Sequence, residues 1–310
     1  MTVPEQKKYN DHQLELEDKM VLMKHYVNSP LNEWQVTSEK NGLILSHQKS
    51  NHPSGAVVFR GDYHYRNVNL RPLDMSSIII FSTCRRQWDS KFDGSEIRVI
   101  RSRYSSLSYG KTKATWPAVP RDFSTITLRQ VEQDGTLYFG LFSIEDDEIN
   151  PPVAGFVRGQ VICSGWKISR YQNGLMLTFI NQLDMGGSVP PLLAKPTLQQ
   201  VPQCVQKVTQ YHDKYGFPPT TTIYHCQFLG EDFDHHSATY TLHLAPQKES
   251  NNTDAEVLCC HRMFPNGFDV VVVQGHLKYT ILQQNTNQLV QLSNLEDKVT
   301  LQIIGKKKWK

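Results

Sequence analysis

Trp116-Pro-Ala-Val-Pro-Arg-Asp-Phe123 decides how the middle of this chain is read. Two prolines within five residues stiffen a loop and forbid a helix there. The run Ser124–Val131 that follows alternates apolar and polar residues, the period of a half-buried strand. The segment is thus a rigid, aromatic-tipped loop feeding a strand. Strand-like runs continue on both sides: Gly55–Tyr65, Ile97–Tyr104, Ser105–Thr112, Leu137–Ile144, Phe156–Ile168 and Leu175–Leu183. Gln133-Asp-Gly135, Asn150-Pro-Pro152 and Gln172-Asn-Gly174 mark turns between them. Upstream, Trp34–Ser38 and Leu43–His47 flank Asn41-Gly42, a strong hairpin signal. The segment Leu70–Thr83 carries a helical patch. The expected product is a curved antiparallel sheet.

Helices bracket these strands. Residues 11–27 place Leu16, Met20, Met23 and Val27 on one face, and Ser29-Pro30 ends the helix. A second helix is expected over Pro190–Tyr215, with an apolar stripe of Leu198, Val201, Val205, Val208, Tyr211 and Tyr215. Pro196 and Pro202 should begin or kink it. Phe217-Pro-Pro-Thr-Thr-Thr222 reads as a linker. Beyond it only short β-like runs occur, from Ile223–Leu229 to Val299–Ile304, with polar turns such as Pro265-Asn-Gly267 between them. Such spacing predicts a small β-sandwich. The expected domains are 1–217, and 218–310 with a basic tail.

Composition narrows the function. Hydrophobic residues make up 39% and charged residues 20%, with a net charge of +3, too mild to argue for nucleic acid. No apolar run approaches membrane-spanning length, and Met1–Lys8 lacks a secretory pattern, so the expected location is the cytoplasm. The six cysteines show no CxxC spacing and read as reduced thiols. His225-Cys226, His235-His236 and Cys259-Cys260-His261 match no zinc spacing, and no HExxH, GxSxG, Walker or dinucleotide pattern occurs. Neither a metal, a cofactor nor a catalytic residue is expected.

Four segments, in order, resemble the START lipid-transfer family: Arg85-Arg-Gln-Trp-Asp89, Trp116–Phe123, Gly155-Phe-Val-Arg-Gly-Gln-Val-Ile-Cys-Ser-Gly-Trp-Lys-Ile168, and Leu177-Thr-Phe-Ile-Asn-Gln-Leu-Asp-Met-Gly-Gly187. The resemblance covers residues about 30–216. It implies an α+β helix-grip fold, in which a curved antiparallel sheet grips a C-terminal helix, followed here by a small all-β domain that resembles nothing specific. It further implies one lipid in an internal tunnel and no enzymatic activity. Some START domains accompany acyl-CoA thioesterases, but those carry extra catalytic domains for which this chain has no spare length.

Alternation along the strands proposes the inward side chains: Ser106 and Ser108, Thr125 and Thr127, Phe139 and Leu141, and Phe179 and Asn181. The helix adds Leu198, Val201 and Val205 to the lipid-binding set, and Arg158 alternates with apolar neighbours. Trp88, Asp89, Arg121 and Asp122 are expected to support the fold, Trp88 as core and the charges in ion pairs. The acid–Arg pair common in sterol-binding relatives is absent on the strands of Ser108 and Thr127. The polar side chains of ceramide carriers are absent at Gly110, Leu141 and Phe179. A neutral tunnel follows, suited to a sterol, a ceramide-like lipid, or a phospholipid whose headgroup stays near the mouth.

In the resembled family the loop at Trp116, Pro117, Ala118 and Val119 meets the membrane, and an indole suits the headgroup level. The tail Lys306-Lys-Lys-Trp-Lys310 gains about 1 kcal/mol per Lys at an anionic leaflet. Transient peripheral membrane association is therefore expected. The leading function is non-enzymatic transfer of a single lipid between membranes. The competing one is a lipid-sensing regulatory or scaffold module that binds a protein partner through residues 218–310.

Overall fold

A computed structural model describes residues 3–114, 119–186, 199–247 and 253–306, with side chains from residue 16 onward. The chain divides into two compact units, Met1–Asn69, Lys91–Val99 and Tyr104–Gln206 against Leu70–Ser90, Ile100–Arg103 and Lys207–Lys310.

The first unit is built on a long sheet in the order β1-β2-β3-β10-β9-β7-β6-β5-β4. Its strands are β1 Gln35–Lys40, β2 Leu43–Gln48, β3 Val58–Arg66, β4 Phe92–Ser102, β5 Ser105–Thr112, β6 Arg121–Val131, β7 Leu137–Ser143, β9 Gln160–Tyr171 and β10 Gly174–Asp184. The registered pairings along this path are antiparallel. A two-residue β8, Val157–Arg158, joins β6 in parallel. The β1–β2 turn has Asn41 and Gly42 at φ 53° and 76°, the left-handed values that Asn-Gly tolerates.

Helix α1, Val3–Asn28, covers one face of this sheet. Leu16, Met20, Met23 and Val27 pack there with Val58, Leu107, Ile126, Tyr138, Phe142, Cys163 and Ile180. The fit is close: a Cβ on Gly165 would lie 2.7 Å from Met23, and the sheet has a glycine there. Arg60 locks the helix end. It pairs with Asp62 at 2.7 Å and donates to the Ser29 carbonyl at 2.8 Å, while Thr178 donates to Asp62. Removing one partner of such a buried pair costs about 3–5 kcal/mol.

The second unit holds two four-stranded sheets, β11-β14-β17-β16 and β12-β13-β18-β15. The strands are β11 Thr220–Ile223, β12 Cys226–Asp234, β13 Thr239–Pro246, β14 Thr253–Cys259, β15 Phe268–Gln274, β16 Lys278–Gln284, β17 Asn287–Ser293 and β18 Val299–Gly305. Buried Phe233, Tyr240, Leu242, Val257, Val290, Leu292 and Leu301 form their core. Helices α2, Pro72–Ile80, and α3, Ser82–Trp88, belong to this unit. The Phe81 ring between them lies 5.9 Å from Phe233 and 6.2 Å from Tyr240.

The last helix, α4, is Cys204–Tyr215, preceded by helical residues 199–200 and a 3₁₀ turn at Val201–Gln203. The break falls at Pro202, which lacks the amide an α-helix needs. Pro196 and residues 190–198 of the expected helix lie outside the described residues.

Phe217–Thr222 is not the linker its composition suggests. Phe217, Thr220 and Thr221 are buried, the Pro218 carbonyl accepts from Ser77, and Thr221 bonds the Tyr240 hydroxyl. The β-branched threonines form β11 and leave no free hinge. Contacts therefore divide the chain elsewhere than at 217, assigning residues 70–90 and 207–217 to the C-terminal strands.

Candidate functional site

Strand register sorts the long sheet into two faces, because side chains alternate with period two. On the face opposite α1, one cross-strand row runs Ser106, Thr127, Leu141, Ser164, Asn181, Phe59 and His47. The next runs Arg129, Phe139, Trp166, Phe179, Gly61 and Leu45. Ser108, Thr125 and Ser143 form part of a third. The eight strand residues expected to line one surface do so: Ser106, Ser108, Thr125, Thr127, Phe139, Leu141, Phe179 and Asn181 share this face.

Its packing is uneven. At one end Leu137, Ile168 and Leu177 are 0% exposed. In β7, by contrast, Tyr138, Gly140 and Phe142 on the α1 face are buried, whereas Phe139, Leu141 and Ser143 remain partly exposed. Apolar groups left open in the middle of a sheet of this width are what a ligand-lined surface requires. Phe179 is mostly covered and stacks on Trp166, with ring centroids 4.7 Å apart.

The polar groups differ in how they are used. Ser106 and Thr127 bond each other at 2.8 Å, and Ser108 and Thr125 at 2.9 Å. The Ser164 hydroxyl donates to the Ile180 carbonyl. Asn181 is 3% exposed, and its Nδ2 has no hydrogen-bond partner among the described residues. A buried polar group left unmade costs about 1–3 kcal/mol.

Arg158 is engaged elsewhere. Its Nε and Nη2 donate to the two Asp122 oxygens at 3.0 Å, Nη1 donates to the Asn150 carbonyl, and Nη2 also reaches the Pro151 carbonyl. The pairing raises the guanidinium above its ordinary range. By register Asp122 shares the parity of Ile126, which is the α1 face, so Arg158 is an ion-pair residue on that side. Asp122 thus pairs as expected, though not with its neighbour. Arg121 is buried and donates to the Met185 and Val119 carbonyls. Trp88 is core, its indole donating to the Ile78 carbonyl, and Arg85 pairs with Asp89.

The chain approaches the open face near its C-terminal helix. A Cβ on Gly61 would lie 2.4 Å from the Pro202 carbonyl oxygen, so the 3₁₀ turn rests on that glycine. Val201 is half-buried and Val205 fully buried, while Leu198 lies outside the described residues. Val119 is 52% exposed, whereas Trp116, Pro117 and Ala118 lie outside the described residues. Sequence reasoning missed Trp166 and Ser164 as members of this face, as well as Phe59 and Gly61. Alternation along β3 carried the signal for the last two.

Among the described residues no group of three His, Cys, Asp or Glu side chains could hold a metal ion. The cysteine and histidine pairs have other surroundings. Tyr211 bonds His235 at 2.7 Å and Cys84 at 3.2 Å, and burial pushes the Cys84 thiol up to about 12. Cys226, Cys259 and Cys260 are buried.

A long antiparallel sheet with one helix-covered face and one face partly open at β7 makes an α+β fold of the helix-grip type. The family model of the START domain matches residues 65–211. The match covers just under half of the chain and leaves the C-terminal strands unassigned. Two solved human structures share the fold. StAR-related lipid transfer protein 5 is 20% identical, with a TM-score of 0.57, over 65% of this chain and 99% of that one. STARD10 is 17% identical, with a TM-score of 0.55, over 63% of this chain and 79% of that one. No curated protein matches the chain.

Proposed function

We propose that this chain binds a single lipid on the open face of the long sheet and carries it between membranes without catalysing a reaction. The observation that carries the reading is β7, whose α1-side residues are buried while Phe139 and Leu141 opposite are left partly open. The START match and the likeness to a human StAR-related lipid transfer protein agree with it. An acyl chain of ~16 carbons involves roughly 13 kcal/mol of apolar burial, so a carrier must offer a wall nearly as apolar as a bilayer. The test is native mass spectrometry of the protein purified from cells and after incubation with mixed vesicles. One bound lipid per chain is expected, and protein that stays lipid-free in both would sink the reading.

The row from Ser106 to Phe59 carries no charge, the Arg129 cation of the neighbouring row lies 5.8 Å from the Tyr104 ring centroid, and the Arg158 cation is already paired. A neutral lipid should therefore displace an anionic one. Competition between a fluorescent sterol or ceramide and phosphatidic acid reads this directly, and preference for phosphatidic acid would overturn it.

The mouth is assigned to the loop at residues 116–119 and the location to the cytoplasm, peripheral at membranes. No described helix is long and apolar enough to cross one. The Trp116→Ala variant should slow vesicle-to-vesicle transfer while changing stability by no more than about 0.5 kcal/mol. Normal transfer with a loss of about 3–5 kcal/mol would make Trp116 core instead.

A second reading is a lipid sensor whose C-terminal strands bind a protein partner. One observation favours it. Residues 70–90, inside the START match, belong to the compact unit of those strands, and α4 begins in one unit and ends in the other. Exchange kinetics separate the two readings, since a carrier must release its lipid to acceptor vesicles within minutes and a sensor need not.

A further inference from the structure

We infer that the Asn181 side-chain amide selects the ligand by donating a hydrogen bond to an uncharged oxygen of the lipid, such as a hydroxyl, ester or amide oxygen. The inference rests on the lipid-binding reading above and names the chemistry of the same site.

The argument is one of elimination on a single face. Its serine and threonine hydroxyls bond one another or the backbone: Ser106 with Thr127, Ser108 with Thr125, and Ser164 to the Ile180 carbonyl. A ligand would have to break those bonds to use them. Asn181 sits in the same row, directly across from Ser164 on β9 and Phe59 on β3. It is 3% exposed, and its Nδ2 has no hydrogen-bond partner among the described residues. Buried amides without a partner are rare in folded proteins, and one on an open binding face is explained by a group that arrives with the ligand. The flanking Leu141, Phe59, Phe179 and Trp166 are apolar, so the arriving group must be small and the remainder of the ligand hydrocarbon. A carboxylate or phosphate placed there would find one N–H group and no cation directly across on β9 or β3, where Ser164 and Phe59 face Asn181, which disfavours an ionised oxygen.

The experiment uses the full chain and vesicles of phosphatidylcholine containing cholesterol, ceramide and diacylglycerol. Bound lipid is identified and counted by native mass spectrometry for the wild type, Asn181→Leu and Asn181→Asp. The wild type should take up a lipid with an uncharged oxygen acceptor. Both variants should hold that lipid about tenfold more weakly, the value of one hydrogen bond to a buried site. The Leu variant should melt at or above the wild type when lipid-free, since it removes an unpartnered donor. Variants that match the wild type in occupancy overturn the assignment and leave the carrier reading standing. No uptake by the wild type overturns the carrier reading, and this assignment with it. A Leu variant melting well below the wild type would mean that Nδ2 has a protein partner, and retained binding by the Asp variant would mean that the residue reads a donor. Either result overturns the assignment.

Discussion

His212 and His235 are buried imidazoles, and the hydrogen bond that His212 accepts from Arg262 needs it neutral. Arg262 donates to His212, with Nη2 2.6 Å from Nε2, and the Tyr211 hydroxyl lies 2.7 Å from Nδ1 of His235. Tyr211 donates to the Cys84 sulfur at 3.2 Å and meets His235 Nδ1 in a bond whose direction follows the imidazole tautomer. Burial, aided by Arg262, lowers His212 to about 3, and burial, aided by His236, lowers His235 to about 4. A depressed folded-state value means that the unfolded chain binds the proton first. Stability is therefore complete above about pH 6.5 and is lost as the pH falls from there toward about 4. The loss should be roughly 1–2 kcal/mol per histidine at pH 5. Melting curves at pH 7.5, 6 and 5 should step downward for the wild type and flatten for His212→Gln with His235→Gln. Equal melts of the wild type across that range would refute the assignment. Neither environment was legible in the sequence, where His235 stood only in a pair that matches no zinc spacing and His212 carried no signal. Their partners, Arg262 and Tyr211, lie 50 and 24 residues away along the chain.

At the scale of elements, sequence periodicity read well wherever one face of an element is buried. The α1 stripe follows from helical spacing, the hairpin from Asn41-Gly42, and the shared face of the set on β5, β6, β7 and β10 from alternation. It read poorly where pairing between distant strands decides. Arg158 looked inward by alternation with its neighbours, yet β8 is two residues long and joins β6 in parallel, delivering the side chain to Asp122. Ser164 and Trp166 joined the open face only through register with β7 and β10. Gly61 is the junction where this face meets the approach to α4. Its hydrogen faces the Pro202 carbonyl, and backbone cannot swing aside as a side chain would. Gly61→Ala should therefore cost about 1–3 kcal/mol, the range for an overfilled core site. Because the displaced 3₁₀ turn borders the proposed site, the variant should also lose bound lipid faster than a Met23→Ala variant. That change empties the opposite, α1-covered face, at about 2–5 kcal/mol. A melt for Gly61→Ala equal to the wild type would show that Pro202 moves freely and does not clamp the sheet.

At the scale of the molecule, the two compact units do not coincide with two stretches of sequence. The apolar run of α2 and α3 lies inside the START match, whose strands build the long sheet. Yet Phe81, 4% exposed, has its ring against Phe233 and Tyr240, Thr83 donates to the Phe233 carbonyl, and Asp74 receives the Thr220 hydroxyl. Composition could not show this, because a proline–threonine run looks like a linker until the residues that cover it are known. A chain cut at 217 should therefore fail on both sides. The piece 1–217 would leave Phe81 and Tyr211 without their aromatic neighbours, and the piece 218–310 would expose Phe233 and Tyr240. Filling such a site with water instead of a Phe ring costs about 3–5 kcal/mol, a large share of the 5–15 kcal/mol that holds a domain together. Within the intact chain, Phe81→Ala should lower stability by about that amount. The pieces and the variant would be compared by calorimetry and by binding of a hydrophobic dye. Dye binding and no cooperative melt are expected for 1–217, against a cooperative but lowered melt for Phe81→Ala. A piece 1–217 that melts cooperatively and takes up lipid would show instead that the START portion folds on its own and that the C-terminal strands are a dispensable addition.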